Sequence, residues 1–357
     1  MIKQQIDYKV AISIIIATFN SERTLPLVLE SIKRQTFPQK KIEILILDGG
    51  SEDKTLTIAK KYQCTIIKNK KIEPISGRIL GYEKAKGKYI IFIDSDEIIK
   101  NPESITIKYE LMEKNHQIKA VIGSGYENPP HAAITAKYIN EFGDPFSFFI
   151  YRSSKNAQFF ITQMKQAYPV SVENEKGVLF NFSQSLDFPI MELGAANTMI
   201  DAEYSKKTFP DFSPEIFAHL FYFLLKNSKK IAFTKDDPVV HYTSDTMQSY
   251  INKIKWRVKN NIYYVSSLGI TGFSGRSNLQ SSNIRIKRYF FLPYAITIIF
   301  PVIDAVYLVI TRKDLAYFIH LPLSFYTATV IMYYYCLKIV GYKPELRSYG
   351  EAKVIRA

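Results

Sequence analysis

Asp94 and Asp96 are the side chains of this sequence best placed to do chemistry. Tyr89 to Ile93 are β-branched or aromatic, the pattern of a strand buried on both faces, and the run stops abruptly at Asp94, Ser95, Asp96 and Glu97. Two carboxylates one residue apart at a strand's carboxyl end can both reach a hard divalent cation, which prefers oxygen ligands and keeps waters and substrate phosphates in its shell. A lone Asp-x-Asp is more often a solvated turn, so the neighbouring strands have to decide.

Those neighbours carry the same design. Val10 to Ala17 reads as a buried strand that stops at Thr18, Phe19, Asn20, Ser21 and Glu22. Asn20 or Ser21 is expected to cap the next helix, in which Leu25, Val28, Leu29 and Ile32 recur at helical spacing. Ile42 to Leu47 is a second strand, followed by a tight loop from Asp48 to Ser51 and a helix over Glu52 to Tyr62. A short strand at Cys64 to Ile67 and a helix from Ser76 to Lys86 lead into the strand that ends at Asp94. Strands alternating with helices imply a parallel, doubly wound α/β sheet, in which ligands collect beyond the carboxyl ends of the strands. Thr18 and Asn20, Asp48, and the pair Asp94 and Asp96 would then meet at one edge.

The order of these pieces resembles glycosyltransferase family 2: Ser13 to Glu22, Asp48 to Asp53, Gly77 with Arg78 and Gly81, Ala85 to Gly87, and Asp94 to Asp96. The resemblance covers roughly the first hundred residues. It implies a GT-A fold, a Rossmann-like, doubly wound mixed sheet, and a UDP- or GDP-sugar as donor. Carried over residue by residue, Asp48 would accept from the nucleobase, Thr18 and Glu22 would line base and ribose, and Asn20 and Ser95 would complete the donor pocket. Arg78 would approach the diphosphate, and Asp94 and Asp96 would hold Mg2+ or Mn2+ against it. Ile79 departs from the family, which often has Asn after the Arg.

From Tyr126 to Met191 the periodicity weakens; Pro129, Pro130, Pro145, Pro169 and Pro189 interrupt it, and Phe146, Phe148, Phe149, Tyr151, Phe159 and Phe160 make it aromatic. Gly194 to Ile200 resembles the family's return strand near the acceptor. Inverting members place an acidic base just beyond, opening a helix; here Glu215 is one residue out of register and Asp211 lies a turn earlier, and either is a candidate to deprotonate an acceptor hydroxyl. Glu215 is equally well read as a helix-start acid favoured by the dipole. Val239 to Tyr242 is a short strand bearing His241, a position that supplies a further metal or phosphate contact in some GT-A enzymes.

The 357 residues carry a formal charge of +14 among 25 Tyr and 24 Phe. That balance fits an anionic membrane surface or phosphate-bearing substrates, and no nucleic-acid-binding signature accompanies it. Cys64 and Cys336 form neither a disulfide framework nor a metal cluster. Met1 to Lys9 lacks the apolar run of a secretory signal, so the N-terminal part is expected to stay in the cytosol. Met247 to Asn261 reads as a basic amphipathic helix suited to an anionic membrane surface, with Ile251, Ile254 and Val258 on one side. Tyr289 to Ile310 and Leu315 to Val340 are apolar runs of spanning length with basic flanks, expected to cross the membrane twice or to dip into it as a re-entrant pair.

The sequence therefore predicts a catalytic domain over 1–245, a basic juxtamembrane region over 246–288, a helical membrane pair over 289–341 and a cytoplasmic tail over 342–357. Its expected activity is metal-dependent transfer of a sugar, with inversion, to a lipid phosphate or lipid-linked glycan among membrane lipids at the cytoplasmic face of the cell membrane. Two alternatives stand beside it. One is an inactive membrane-bound scaffold that binds nucleotide sugars, the other a sugar-phosphate nucleotidyltransferase, which usually has a Gly-rich phosphate loop where this chain has Thr18 to Glu22.

Overall fold

The computed structural model describes residues 9–185, 188, 197–210, 213–243 and 246–347. The strands are β1 (Ile12–Thr18), β2 (Ile42–Asp48), β3 (Thr65–Lys68), β4 (Tyr89–Asp94), β5 (Glu97–Ile99), β6 (Ala120–Ile122), β7 (Tyr126–Glu127), β8 (Val170–Glu173), β9 (Gly177–Asn181), β10 (Thr198–Asp201), β11 (Lys230–Thr234) and β12 (Val239–His241). The helices are α1 (Leu25–Lys33), α2 (Thr55–Lys61), α3 (Pro74–Lys84), α4 (Ser104–Lys114), α5 (Ile134–Phe142), α6 (Pro145–Tyr151), α7 (Ala157–Ala167), α8 (Ala202–Thr208), α9 (Pro214–Ala218), α10 (Leu220–Ser228), α11 (Met247–Tyr263), α12 (Ser282–Lys287), α13 (Phe291–Ile296), α14 (Ile299–Arg312) and α15 (His320–Ile339). The described residues fall in two compact units, one within 1–127, 160–189 and 193–241, the other within 128–159, 190–192 and 242–357.

The first unit is built on a mixed sheet of order β3-β2-β1-β4-β10-β6-β11-β9-β8. Its first four strands are parallel, with Thr18 level with Asp48 and Ala17 level with Asp94. β10 then runs antiparallel between β4 and β6, which makes the sheet mixed. Ile12, Ile14, Ile15 and Ile16 are fully buried, as a strand covered on both faces requires. On α1 the buried residues are Leu25, Val28, Leu29 and Ile32, the spacing read from the sequence. A smaller sheet, β5-β12-β7, stands beyond the end of β4.

Neither Asn20 nor Ser21 caps α1; Thr24 occupies that position without a side-chain bond. Both residues instead tie the first loop to its neighbours. Asn20 Oδ1 accepts from the Glu52 N–H at 2.9 Å, and the Ser21 hydroxyl donates to Ser95 Oγ at 3.0 Å. The competition between a local cap and a bond to the adjacent loop is one that sequence spacing does not reveal.

Gly87 shows why small residues lead into β4. A Cβ there would lie 2.5 Å from the backbone nitrogen of Ser13, and the Gly87 N–H donates to Ser13 Oγ at 2.7 Å. Gly87→Ala is expected to force β4 away from β1 and to lower stability by about 1–3 kcal/mol, read from the shift in urea midpoint at unchanged slope.

The second unit is helical, made of α5, α6 and α11 to α15 with the start of α7. The segment 128–159, read from sequence as part of the first domain, belongs here, because Tyr138, Ile139, Phe142 and Phe148 form one core with Tyr250, Ile254, Leu308, Tyr317 and Leu323. Within it Glu141, fully buried, accepts from Ser154 Oγ at 2.8 Å and pairs with Arg312 at 2.8 Å, the partners a buried carboxylate requires. The apolar side of α11 is used by this core through Tyr250 and Ile254, so it is not free to lie in a membrane plane.

The apolar run from Tyr289 is not one helix. Ser282–Ile296 and Ile299–Arg312 meet at 93°, where Ile298 takes a φ of 62° that branched side chains avoid. Leu315–Ile339 is long and apolar enough to cross a membrane by length and composition, with 39% of its apolar window buried. Ile299, Phe300, Ile303, Tyr307 and Ile310 on α14 are all exposed.

Candidate active site

The parallel strands bring Thr18, Asp48 and Asp94 to one rim of the first unit, and the loops beyond them are laced together. The Thr18 carbonyl accepts from the Gly49 N–H at 2.9 Å. Asp48 Oδ2 accepts from the N–H groups of Gly50 and Ser51 at 2.8 and 3.0 Å, and Oδ1 accepts from Ser51 Oγ at 2.6 Å and Thr18 Oγ1 at 3.4 Å. Those four donors use the accepting capacity of a carboxylate, so in this conformation Asp48 holds its own loop in shape. Glu22 does the same from the other side: its N–H donates to Asp53 Oδ2 and its Oε2 accepts from the Lys54 N–H, both at 3.0 Å.

α3 lies close against β1 and β2 because Gly81 leaves room where a Cβ would come within 2.6 Å of Ile15 Cγ2. From that helix Arg78 reaches across and forms an ion pair with Asp94 Oδ1. Asp94 in turn keeps the Arg78 guanidinium above its ordinary pKa. The Asp94 carboxylate is 42% exposed.

The acid cluster is completed from the small sheet. β12 pairs antiparallel with β5 so that His241 is level with Glu97, and His241 Nε2 lies 3.6 Å from Asp96 Oδ2. Tyr126 on β7 packs its ring on His241, with centroids 4.9 Å apart, and donates its hydroxyl to Glu97 Oε1 at 3.0 Å. Glu97 Oε2 accepts from the Asp94 N–H at 2.9 Å. Only 3% of Glu97 is exposed. Burial first, and then the negative charge of Asp94, push its carboxyl up to about 7.

Glu97 and Tyr126 were not singled out by sequence. Glu97 carried a signal, as the third acid after the strand, but its role depends on pairing with a strand some 140 residues later. Ser95 is in the site through Ser21. Glu215 lies exposed in the first turn of α9, whose Ser213 cap accepts from the Ile216 N–H, and α9 is anchored by Phe217 against Phe92 and Tyr82. This agrees with the helix-start reading and brings Glu215 into none of the bonds of the acid cluster described above. Asp211 lies outside the described residues.

Among the described residues no three His, Cys, Asp or Glu side chains stand so that together they could hold a metal ion. An open site is the alternative that suits Mg2+ or Mn2+, with one or two carboxylates completed by waters and substrate phosphate. Asp94 and Asp96 are two carboxylates of the kind such a site uses, with His241 Nε2 3.6 Å from Asp96 Oδ2.

The sequence model of Glycosyl transferase family 2 matches residues 13–174. Poly(ribitol-phosphate) beta-N-acetylglucosaminyltransferase TarS of Staphylococcus aureus (strain Mu50) is 31% identical over 125 residues, which are 32% of this chain and 22% of TarS. Cholesterol galactosyltransferase of Borreliella burgdorferi is 33% identical over 103 residues, 28% of each chain. The chain thus spans about a quarter of the length of these relatives. A crystal structure of S. aureus TarS 1–349 with UDP-GlcNAc superposes at a TM-score of 0.46 and 16% identity, covering 92% of each chain. The part of the chain that matches the family model, residues 13–174, includes Thr18, Asp48, Arg78, Asp94 and Asp96.

Proposed function

We propose that the chain transfers a sugar from a nucleotide-sugar donor to a lipid phosphate or lipid-linked glycan at the cytoplasmic face of the cell membrane. The observation that carries this reading is the meeting of Thr18, Asp48, Arg78, Asp94, Asp96 and His241 at one rim. The nucleoside would lie along the Thr18 and Asp48 loops, and its diphosphate against Arg78. In the reaction an acceptor oxygen bonds to the anomeric carbon as the bond from that carbon to the diphosphate oxygen breaks, and the nucleoside diphosphate leaves with the electron pair. Arg78 meets the charge that develops on the leaving group, by exchanging part of its bond to Asp94 for one to phosphate. Asp94 and Asp96, with His241 nearby, would hold a Mg2+ or Mn2+ ion, which would supply Lewis-acid stabilisation of that same charge.

A hydroxyl acceptor needs a base for its proton, for which Glu215 is the described candidate and Asp211 the other. An anionic phosphate acceptor needs none, which agrees with a rim whose acids Asp94, Asp96 and Glu97 gather where β4 ends. Attack from the face opposite the leaving group would invert the anomeric centre. The exposed apolar side chains of α14 support contact between the helical unit and lipid.

Incubating the full chain in mixed lipid vesicles with a panel of UDP- and GDP-sugars tests the reading. Mass spectrometry should detect a glycosylated lipid product with Mg2+ or Mn2+ present. Chelation with EDTA should remove product formation and added Mn2+ should restore it. Donor binding with no product for any sugar would favour the inactive scaffold instead.

A further inference from the structure

α14 has two apolar sides, and the core of the helical unit uses only one of them. Pro301, Asp304, Ala305 and Leu308 are the buried ones. The opposite side, Ile299, Ile303, Val306, Tyr307 and Ile310, recurs at helical spacing and is exposed. At the bend that precedes it Ile296, Ile298 and Phe300 are also exposed. An apolar patch of this extent marks a surface that meets something else.

The charges at its two ends say what that is. Arg285, Lys287 and Arg288 precede the patch, all exposed, and donate to Ser282 Oγ, the Ile150 carbonyl and the Tyr289 hydroxyl, none of them acidic. Lys313, also exposed, follows α14 at the other end. Tyr289 and Phe290 stand exposed beside the first cations, and Tyr307 lies within two turns of Lys313. From either end toward the bend the order is cation, aromatic, aliphatic, the order in which an anionic leaflet presents phosphate, interface and acyl chains. Two copies of the chain pressed together by this face would instead bring cations of like charge into one interface.

The bend sets the depth. Its arms, Ser282–Ile296 and Ile299–Arg312, meet at 93°. Each arm is about 21–23 Å long, short of the roughly 30 Å hydrocarbon core. With both ends at the headgroups the arms would incline by about 45° and the bend would reach about 15 Å down, the depth of one leaflet. A buried polar set holds the angle. Across the bend the Tyr294 hydroxyl donates to Asp304 Oδ2 at 2.6 Å and lies 2.7 Å from His320 Nε2, while Arg152 Nη1 pairs with Asp304 Oδ1 at 2.5 Å. Straightening the pair would leave these groups unbonded in the interior. The same bonds turn Asp304, the one carboxylate between Ser282 and Arg312, away from the exposed apolar side.

We infer that α12 to α14 form a wedge that enters one leaflet of an anionic membrane and leaves it on the same side, with the bend at its deepest point. The inference rests on the proposed membrane placement of the helical unit, to which it gives a form, and is independent of which sugar is moved.

The test uses the full chain with Cys64→Ala and Cys336→Ala and one new cysteine carrying the fluorophore NBD: Asn283→Cys in the first arm, Ile299→Cys at the bend or Lys313→Cys after the second arm. The chain is added to preformed phosphatidylglycerol vesicles and dithionite is then added outside. The labels at the two ends should be bleached to the same extent, and the label at the bend should be shielded. In flotation, phosphatidylcholine vesicles should need at least about tenfold more lipid for half-binding. Arg285→Glu with Arg288→Glu, and separately Ile299→Asp with Ile303→Asp, should each weaken binding to phosphatidylglycerol at least about tenfold, with the far-UV circular dichroism unchanged.

A label shielded at one end alone would mean a crossing and would overturn the wedge, as would a label at the bend bleached as fast as the ends. Equal binding to both lipids, or undiminished binding by either folded variant, would overturn the assignment of this face to an anionic leaflet. A chain that does not float but sediments as a dimer, which Ile299→Asp with Ile303→Asp dissociates, would make the face an interface between copies instead. Glycolipid product from a chain whose label is shielded at one end keeps the transfer reading and loses the wedge. The expected label pattern with no glycolipid product keeps the wedge and loses the transfer reading.

Discussion

Replacing Asp94 and Asp96 together with alanine is expected to lower sugar transfer by at least about a thousandfold. The loss should fall on kcat and on the Mg2+ or Mn2+ dependence, with the circular dichroism spectrum retained. Both carboxylates stand at the end of β4 rather than in the sheet's core, and the strand itself is held by Ile90 to Ile93, which are buried. The double change therefore removes charge from the rim without opening a cavity beneath it. It also frees Arg78, whose guanidinium would then meet the donor's diphosphate without competition, so donor affinity should fall less than turnover. That split between binding and turnover distinguishes a role in stabilising the departing diphosphate from one in fold maintenance. A double variant that turned over within tenfold of the parent would remove these acids from the chemistry.

The parallel half of the sheet was legible in the sequence because its strands are continuous apolar runs that end in polar residues, and register alone then aligns Thr18, Asp48 and Asp94. What each polar group does there was less legible. Asn20 and Glu22 lie in the right loop, yet their side chains bond the backbone of the loop after β2, because an exposed turn with several free N–H groups competes for every acceptor within reach. The partnership of Glu97 with His241 was hidden by distance along the chain, since strand pairing between β5 and β12 depends on the fold and not on local pattern. Residues 128–159 misled for a different reason. Their prolines and aromatics obscure the period of α5 and α6, whose apolar sides answer to the core of the helical unit. The 93° bend in the apolar run after Ser282 turns on one unfavourable φ at Ile298, which no hydropathy pattern encodes.

Lys108→Met is expected to destabilise the first unit by about 3–5 kcal/mol, the largest stability effect the structure points to. Lys108 and Asp237 form an ion pair in which both side chains are 0% exposed. The Lys108 ammonium also donates to Ser104 Oγ at 2.7 Å, and Thr234 Oγ1 donates to Asp237 Oδ2 at 2.7 Å. Burial draws the Lys108 ammonium below its ordinary pKa, and the Asp237 charge opposes that shift. Removing the ammonium strands a carboxylate in the interior, which is why one-sided substitution costs more than loss of the pair. Lys108→Met with Asp237→Leu should recover most of the loss in urea unfolding, and failure to recover it would mean that the packing of the Lys108 stem, not the charge, is what stabilises the unit. The effect should also reach the rim. Asp237 exchanges backbone and side-chain bonds with Ser124, its N–H donating to Ser124 Oγ at 3.0 Å while its carbonyl accepts from the Ser124 N–H at 3.0 Å, and Asp237 stands just before β12. The position of His241 beside Asp96 thus depends on a charge pair buried at the root of its strand, so the single variant should lose metal-stimulated turnover at a lower urea concentration than it loses its secondary structure.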